Sequence, residues 1–256
     1  MTATEQTDGI RTVVVTGAGR GLGLATARRA GADGNRVVVA ELDAERGGKA
    51  TAELRAEGID AHAVRADVAD PESVAAMADR VAELTGGVLH GLVNNAGLAD
   101  AVGGKEFQDI GVEEWDRIMA VNARGPWLVA RALLPQLVAS GSGRIVNLAS
   151  DAALYGSPRL AHYIASKGAV ISLTRAMARE TGDKGVTVNA VAPGITEGES
   201  TERVPAERHE LYRLNRAVSR PQQPDDLTGM IAFLLSEESR YLTGQVIAVN
   251  GGFTMQ

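Results

Sequence analysis

Residues 12–30 read TVVVTGAGRGLGLATARRA, and this stretch decides the fold. Its first five residues are all β-branched, which is typical of a buried strand. A glycine-rich turn from Gly17 to Gly23 follows, and then a segment of helical composition. Glycine lets the backbone turn tightly and approach a ligand closely, and the amino end of a helix attracts phosphate. The stretch therefore predicts a strand–turn–helix unit that binds the phosphates of a dinucleotide.

An acidic residue about 20 positions further on supports this interpretation, because its carboxylate can bind the hydroxyl groups of an adenosine ribose. Glu41 ends the next predicted strand and lies at that distance. The turn has the spacing Gly-x-x-x-Gly-x-Gly, with Gly17, Gly21 and Gly23, rather than G-x-G-x-x-G. An ordinary glycine-rich turn is the alternative interpretation.

Short β-branched runs alternate with longer segments of helical spacing along the rest of the chain. This alternation predicts βαβ units and a parallel sheet, and the valine runs predict strands buried on both faces. We expect an α/β fold of the Rossmann type, a doubly wound three-layer sandwich with a parallel sheet of about seven strands. The predicted strands span residues 12–16, 36–41, 60–66, 88–93, 143–149, 186–191 and 245–249, and the predicted helices span residues 24–30, 44–57, 71–84, 112–139, 163–180 and 224–235.

Composition argues against several classes of protein. Of 256 residues, 45% are hydrophobic and 23% are charged, as in ordinary globular proteins. The net charge of −6, without a lysine- or arginine-rich run, argues against a nucleic-acid partner. Cysteine is absent, so disulfides and thiolate chemistry are excluded. No apolar run approaches the ~18 residues of a membrane helix, and we expect no metal site, because no two of the histidines are spaced as ligands: His62, His90, His162 and His209.

Residues 1–10 are polar and acidic and lack the pattern of a signal peptide, so we expect a flexible leader and a cytoplasmic protein. Residues 11–256 are expected to form one domain, since no linker, repeat or low-complexity segment interrupts them. The longest stretch without a strand pattern, residues 195–223, is polar and follows a strand end. We predict that it forms a lid over the substrate.

Tyr163 and Lys167 form a second motif, Tyr-Ile-Ala-Ser-Lys. Residues four apart share one face of a helix, so the ammonium group can approach the phenol. Free tyrosine titrates near 10, and a nearby cation lowers that pKa toward the range in which a phenolate can act as a base. A surface pair without function is the alternative.

Ser150 and Asn122 add polar groups to this hypothesis. Ser150 ends a predicted strand, and ligands of parallel sheets bind at the carboxyl ends of strands. Its hydroxyl can therefore hold a substrate oxygen beside Tyr163, although a cap of the next turn would also explain a serine there. Asn122 lies inside a predicted helix, where asparagine is unfavourable, which indicates a buried polar role.

In combination, these motifs resemble the short-chain dehydrogenase/reductase family. The resemblance runs from about residue 12 to the end of the chain. It rests on the turn Thr16-Gly17-x-x-x-Gly21-x-Gly23, Asn94-Asn95-Ala96-Gly97, Val121-Asn122-Ala123-Arg124-Gly125, Ser150, Tyr163-x-x-x-Lys167 and Pro193-Gly194. It implies reversible hydride transfer between a nicotinamide cofactor and a secondary alcohol or ketone.

The resemblance also implies a role for each residue. Tyr163 would be the general acid/base, and Lys167 would lower its pKa and hold the nicotinamide ribose. Ser150 would bind the substrate oxygen, and Asn122 would keep a water molecule in the proton relay. Besides Tyr163 and Lys167, the implied cofactor-binding residues are Gly17, Arg20, Gly21, Leu22, Glu41, Leu42, Asp67, Val68, Asn95, Ala96, Gly97, Pro193, Gly194, Ile195 and Thr196.

The cofactor is predicted to be NAD. Glu41 would bind ribose hydroxyls and repel a 2′-phosphate, and the residue after it is Leu42 rather than arginine. Two features differ from this pattern: NAD-binding members of the family more often have aspartate at position 41, and Arg20 stands where NADP-binding members can carry a basic residue. We give Glu41 more weight, because placing a phosphate against a carboxylate is costly.

The substrate is predicted to be a neutral, hydrophobic secondary alcohol or its ketone. No arginine or lysine is evidently placed to hold a carboxylate, and the residues expected near Ser150 or in the lid are mostly apolar: Leu98, Ala152, Leu154, Tyr155, Ile195 and Tyr212. The alternatives are an NADPH-dependent 3-ketoacyl-type reductase and a non-catalytic NAD-binding regulator. The four intact relay residues argue against the regulator.

A homotetramer with D2 symmetry is implied by the resemblance. Trp115 and Trp127 are expected in the core or at a subunit interface, and His162 is expected to pack or to face solvent. Asn250 stands where relatives usually have aspartate, and its segment is expected to be structural, at a subunit interface.

Overall fold

Seven parallel strands form one sheet in the computed structural model, which describes residues 10–100 and 102–255. The order across the sheet is β3-β2-β1-β4-β5-β6-β7, and each neighbouring pair is parallel. The predicted α/β fold with a parallel sheet of this size is confirmed. The strands are β1 (Thr12–Thr16), β2 (Arg36–Glu41), β3 (Ala61–Arg65), β4 (Gly91–Asn94), β5 (Arg144–Leu148), β6 (Thr187–Pro193) and β7 (Val246–Val249).

The order of the strands reverses between β1 and β4. Val14 of β1 lies opposite Val38 of β2 on one side and opposite Leu92 of β4 on the other. Connections leave these two strands in opposite directions, which opens a crevice above their carboxyl ends. Because all the strands are parallel, every residue that follows a strand end lies at this same edge of the sheet.

Helices cover both faces of the sheet. Val13 packs with α1, α2 and α9, for example against Ile231, whereas Val14 packs with α3 and α5, for example against Leu133. Side chains alternate between the faces along a strand, so the valine run is buried by both helical layers. The helices are α1 (Gly21–Ala32), α2 (Ala44–Ala56), α3 (Pro71–Thr85), α4 (Val112–Met119), α5 (Gly125–Ala139), α6 (Ala152–Tyr155), α7 (Ala161–Thr181), α8 (Ala206–Asn215) and α9 (Asp225–Leu235).

The predicted single helix over residues 112–139 is wrong. α4 ends at Met119, Ala120–Arg124 form a π-helical turn, and α5 begins at Gly125. Pro126 has no N–H, so it cannot donate the usual helical hydrogen bond to the main-chain carbonyl of Asn122, four residues earlier. Such π-turns are frequent at functional sites, and this one contains the buried Asn122.

A β-bridge joins the two ends of residues 195–223, and the segment contains a helix. A parallel bridge joins Thr196 to Gln222, and a 3-10 turn at Glu199–Thr201 precedes α8. The buried Tyr212 of α8 donates to a carboxylate oxygen of Asp151 (2.7 Å), which anchors the helix beside the end of β5. Of the predicted leader, residues 1–10, only Ile10 lies within the described residues.

Candidate active site

One side of the turn after β1 packs tightly against the rest of the protein, and the other side borders open space. A Cβ atom at Gly17 would lie 2.9 Å from the Cα of Ala96, and one at Gly23 would collide with the carbonyl oxygen of Gly17. A Cβ atom at Gly21 would meet nothing within 4 Å, and its φ of +54° favours glycine. α1 begins there, and the side chain of Arg20 does not cap it. The free N–H groups and the helix dipole therefore fit a pyrophosphate, as the sequence predicts.

Asn95 ties the turn after β1 to the loop after β4. Its Nδ2 donates to the carbonyl oxygens of Thr16 (2.9 Å) and Gly17 (3.1 Å). In return, the hydroxyl oxygen of Thr16 accepts hydrogen bonds from the N–H groups of Asn95 (3.1 Å) and Ala96 (3.0 Å). These four bonds set the position of the glycine turn at the point where the strand order reverses.

Glu41 lies against the same turn. Glu41 is 7% exposed, and its Oε2 accepts from the N–H of Gly19 (3.0 Å). Arg46 of α2 donates to Oε1 (3.2 Å), which balances the buried charge. Leu42, the next residue, is exposed, and Arg20 forms an ion pair with Glu199 of the segment 195–223.

The other residues predicted at the cofactor lie at the same edge. Asp67 and Val68 follow β3: Asp67 accepts from the N–H of Ala69 (2.9 Å), and the buried Val68 packs against the start of α5. Pro193 ends β6, and Gly194 and Ile195 line the pocket described below. The hydroxyl of Thr196 donates back to the carbonyl oxygen of Gly194 (3.2 Å). Leu22, in the first turn of α1, packs against the valine core.

Tyr163 and Lys167 share one face of α7. The Nζ of Lys167 lies 5.9 Å from the centre of the Tyr163 ring and donates to the carbonyl oxygen of Leu148 (2.7 Å). Burial lowers the pKa of Lys167 to about 8, which leaves it mostly cationic at neutral pH. Burial also raises the pKa of Tyr163, hydrogen bonding from Ser150 opposes that rise, and the negative charge of Asp151 adds to it.

Asn122 and Ser150 come close to this pair. A Cβ atom at Gly97 would lie 3.3 Å from Oδ1 of Asn122 and 3.6 Å from Nζ of Lys167, so the three residues meet. Asn122 binds both main-chain groups of Leu98: Oδ1 accepts from its N–H (2.7 Å) and Nδ2 donates to its carbonyl oxygen (3.0 Å). The hydroxyl of Ser150 accepts from the N–H of Ala152 (3.2 Å), so it caps α6 and still has its own proton to donate.

A pocket of about 530 Å³ opens beside Ser150 and Tyr163. Of the residues predicted to contact substrate, Ala152, Ile195 and Tyr212 line it. Leu98, Leu154 and Tyr155 do not line it, and their contact with substrate stays a prediction. The main chain of Leu98 is bound by the side chain of Asn122, Leu154 packs against the cluster around Val170, and the ring of Tyr155 packs edge-on against Phe253.

The pocket wall also contains cations that the sequence does not evidently place near the substrate. Arg159, Arg203 and Arg208 all line the pocket, with Leu160, Val204 and Leu211 forming apolar parts of its wall. Arg159 and Leu160 follow α6, and the other four belong to the segment 195–223. The sequence carries no periodic signal that would bring an arginine of α8 to face Tyr163, because the two residues are far apart in the chain and meet only through tertiary packing.

Asp151 is a functional candidate that the sequence analysis missed. It follows Ser150 directly, is 1% exposed, and accepts hydrogen bonds from the hydroxyl of Tyr212 (2.7 Å) and from Nδ2 of Asn250 (3.2 Å). Burial raises its pKa from 3.8 to about 6. Asparagine at position 250 is thereby explained, because an aspartate there would set a second carboxylate against Asp151.

Two tryptophans and one histidine for which the sequence makes a prediction lie outside the pocket. Trp115 and Trp127 are 39% and 42% exposed, so a core position is excluded. His162 is fully buried and Nε2 lies 3.2 Å from a carboxylate oxygen of Glu114, so it packs and does not face solvent.

Within the described ranges, no group of three or more histidine and acidic side chains could hold a metal ion. In the same ranges no helix is long and apolar enough to cross a membrane.

We expect Asp151→Asn to stabilise the protein increasingly as pH rises. The folded-state pKa of about 6 exceeds the reference value of 3.8, so the stabilising contribution of this group is present below the reference value and lost as pH rises through 6. Because asparagine does not ionise, the variant does not lose this stability as pH rises. Its free energy of unfolding relative to the wild type should grow by about 3 kcal/mol between acid and neutral pH.

Urea unfolding at several pH values measures that difference. Asp116→Asn, a change of an exposed aspartate of α4, is the matched control and should show no growth with pH. A constant difference for the Asp151 variant would contradict a buried carboxylate that ionises at neutral pH.

Several known proteins are similar to this chain over nearly its whole length. A family model described as enoyl-(acyl carrier protein) reductase matches residues 17–254. The chain is 36% identical over 246 residues to 3-oxoacyl-(acyl-carrier-protein) reductase of Staphylococcus aureus, covering 96% of this chain and 98% of that one. It is 38% identical over 252 residues to 2-(S)-hydroxypropyl-CoM dehydrogenase 3 of Xanthobacter autotrophicus, covering 94% and 96%.

A solved structure from Beutenbergia cavernae is described as an NAD(P)-dependent gluconate 5-dehydrogenase with NADP bound at low occupancy. It superposes with a TM-score of 0.88 at 36% identity, covering 95% of this chain and 96% of that one. With the match to the family model and to both relatives, this likeness extends over nearly the whole chain. The protein belongs to the short-chain dehydrogenase/reductase family.

Proposed function

We propose that this protein is an NAD(H)-dependent oxidoreductase that interconverts a secondary alcohol and a ketone. The observation that carries the proposal is that Tyr163 and Ser150 line one pocket while the buried Lys167 lies close behind the tyrosine ring. A bound nicotinamide dinucleotide would supply the hydride acceptor or donor. The glycine turn, Glu41 and the residues after β6 border the crevice in which it would lie.

Tyr163 acts as the general acid/base in this proposal. In oxidation, its phenolate accepts the proton of the substrate hydroxyl, while the hydroxyl of Ser150 donates a hydrogen bond to the same oxygen. Burial makes the phenolate costly, so the positive charge of Lys167 has to offset that cost. Higher pH therefore favours oxidation, and lower pH favours reduction.

Asn122 serves as a positioning residue. Its side chain holds the loop at Leu98 through two hydrogen bonds. Its main-chain carbonyl does not receive a helical hydrogen bond from Pro126, and we propose that this oxygen holds a water molecule between Lys167 and solvent. We further propose that residues 195–223 form a lid, since this segment supplies one wall of the pocket and carries Glu199 to Arg20 across the crevice.

Tyr163→Phe is expected to lower kcat by at least ~100-fold, because it removes the hydroxyl that transfers the proton. The rate is measured with a panel of secondary alcohols and NAD, over a range of pH. Tyr241→Phe, which changes a fully exposed tyrosine, is the matched control and should keep full activity. A Tyr163→Phe variant that remains as active as the wild type would exclude the proposed proton transfer.

NAD is the proposed cofactor because Glu41 presents a buried carboxylate at the end of β2. The charge of Arg20 is already countered by Glu199, and Leu42 offers no cation to a 2′-phosphate. Two observations favour NADP instead. The cation Arg46 lies beside Glu41, and the similar structure from Beutenbergia cavernae holds NADP at low occupancy.

Fluorescence titration with NADH and NADPH tests this assignment. We expect the wild type to bind NADH at least ~10-fold more tightly, a difference of ~1.4 kcal/mol. Glu41→Gln keeps the size and the hydrogen bond from Gly19 but removes the charge, so the preference should shrink toward equality. Glu45→Gln, an exposed change in the first turn of α2, should leave it unchanged. Tighter binding of NADPH by the wild type would contradict the role of Glu41.

A 3-ketoacyl-type reductase that uses NADPH is the second candidate. The observation that favours it is the 36% identity to the Staphylococcus aureus reductase. Preference for NADPH together with rapid reduction of 3-oxoacyl thioesters would favour this candidate over the NAD(H)-dependent oxidoreductase. A non-catalytic NAD-binding regulator is a third alternative, and it would require that no alcohol or ketone is turned over despite the four polar residues at the pocket.

A homotetramer is the proposed assembly. Large apolar side chains are exposed on and next to α4 and α5: Phe107, Val112, Trp115 and Trp127. Light scattering should give a particle of four chains for the wild type and smaller particles for Trp127→Glu, because burying a carboxylate in an apolar interface is costly. Lys49→Glu, an exposed change in α2, is the control and should leave the tetramer intact. A monomeric wild type would exclude this assembly.

A further inference from the structure

Arg208 of α8 lines the pocket that contains Tyr163. Its Nη2 donates to the hydroxyl of Tyr155 (3.2 Å) and to the hydroxyl of the buried Ser157. Two neutral acceptors therefore hold the guanidinium in one orientation. Nε and Nη1 form no hydrogen bond with the described part of the chain, and neither is a buried atom, so both donors remain available to a ligand.

The other two arginines in the pocket wall already have acidic partners. Arg159 pairs with Glu106 (2.9 Å), and Arg203 pairs with Asp100 (3.7 Å). Across residues 10–100 and 102–255, no carboxylate oxygen lies within 4.0 Å of the Arg208 guanidinium. Arg208 is therefore the cation of this pocket whose charge has no direct counter-ion in the described chain.

Asp151 does not take the place of such a counter-ion. Asp151 borders the pocket, but its two oxygens accept from Tyr212 and Asn250. The charge of Arg208 lowers the pKa of Asp151 against the effect of burial, although the two groups do not form an ion pair. The charge of Arg208 nevertheless reaches the reacting end of the pocket, because it lowers the pKa of Tyr163 against the effect of burial. The exposed Glu207 also borders the pocket but makes no ion pair with Arg208.

We propose that Arg208 binds a carboxylate on the substrate, so that the preferred substrates are hydroxy acids and keto acids. A guanidinium presents paired N–H donors that match a carboxylate. The apolar wall formed by Leu160, Val204 and Leu211 suits a hydrocarbon chain between the carboxylate and the reacting carbon. This inference rests on the proposed oxidoreductase function, and it replaces the neutral substrate that the sequence predicts.

Matched pairs of substrates test the inference. The wild type is assayed with NADH and with 4-oxopentanoate, 5-oxohexanoate and 6-oxoheptanoate, each against its own methyl ester. For at least one chain length, kcat/KM should be ~10-fold or more higher for the acid than for the ester. Arg208→Gln should reduce that ratio to about 1, and Arg208→Lys, which keeps the charge without the paired donors, should give an intermediate ratio.

Arg213→Gln is the matched control, because it removes one positive charge from the same helix at an exposed residue that does not line the pocket. Its ratio of acid to ester should equal that of the wild type. Thermal unfolding of each variant checks that α8 remains folded.

Calorimetric titration with hexanoate and hexanamide gives a readout that does not need turnover. Hexanoate should bind the wild type and Arg213→Gln at least ~10-fold more tightly than Arg208→Gln, and hexanamide should not distinguish them. Reduction of esters as fast as acids, or an unchanged ratio in Arg208→Gln, would overturn this inference and leave the oxidoreductase proposal standing. Arg208-dependent binding of hexanoate without turnover of any ketone would support the anion site and refute the proposed function. Neither binding nor turnover would overturn both.

Discussion

The contact between the loops that follow β1 and β4 is the interaction on which the site depends. Chain connections leave these two strands in opposite directions, so parallel pairing alone does not join their loops. Asn95 and Thr16 join them through side-chain hydrogen bonds to main-chain groups. Gly17 makes this contact possible, because Ala96 lies where a Cβ atom at position 17 would otherwise collide with it. The crevice thus has rigid walls before any ligand enters.

Buried charge organises the other end of the crevice. Lys167 donates to a strand carbonyl, and Asp151 accepts from α8 and from the residue after β7. Each such contact joins segments that are distant in sequence, since a buried charged group needs hydrogen-bond partners wherever the chain can supply them. Arg208 differs from both, because it is only half-buried and Nε and Nη1 make no hydrogen bond with the described part of the chain. Hydrogen bonds within the protein account for Lys167 and Asp151, whereas a bound anion would account for the unused donors of Arg208.

Local patterns predicted the strands and most helices well, with ends within three residues of those observed apart from the helix over residues 112–139. β-branched runs, helical spacing and capping residues act over a few neighbours, so they are visible in the sequence. The break within 112–139 was missed because the apolar spacing continues through it. Leu98, Leu154 and Tyr155 were predicted to line the pocket because the family resemblance places them near Ser150 or in the lid. Position in the chain does not fix the direction of a side chain in a loop or short turn, and none of these three residues lines the pocket.

The sequence by itself determined the parallel sheet, the glycine turn, the pairing of Tyr163 with Lys167 on one helix face and the presence of Glu41 at the end of β2. The turn, the tyrosine–lysine pairing and the position of Glu41 each depend on contacts within about 30 residues, the size of one βαβ unit. The parallel sheet is predictable because the strand and helix patterns alternate along the chain. Only the tertiary structure decided that Asp151, Tyr212 and Asn250 share one buried network and that Arg208 faces the pocket of Tyr163. Those contacts join the end of β5, a helix in the segment 195–223 and the residues after β7, and no periodic pattern records which of these segments will meet. The physical reason is that the charge of a pocket is the sum over all the segments that surround it.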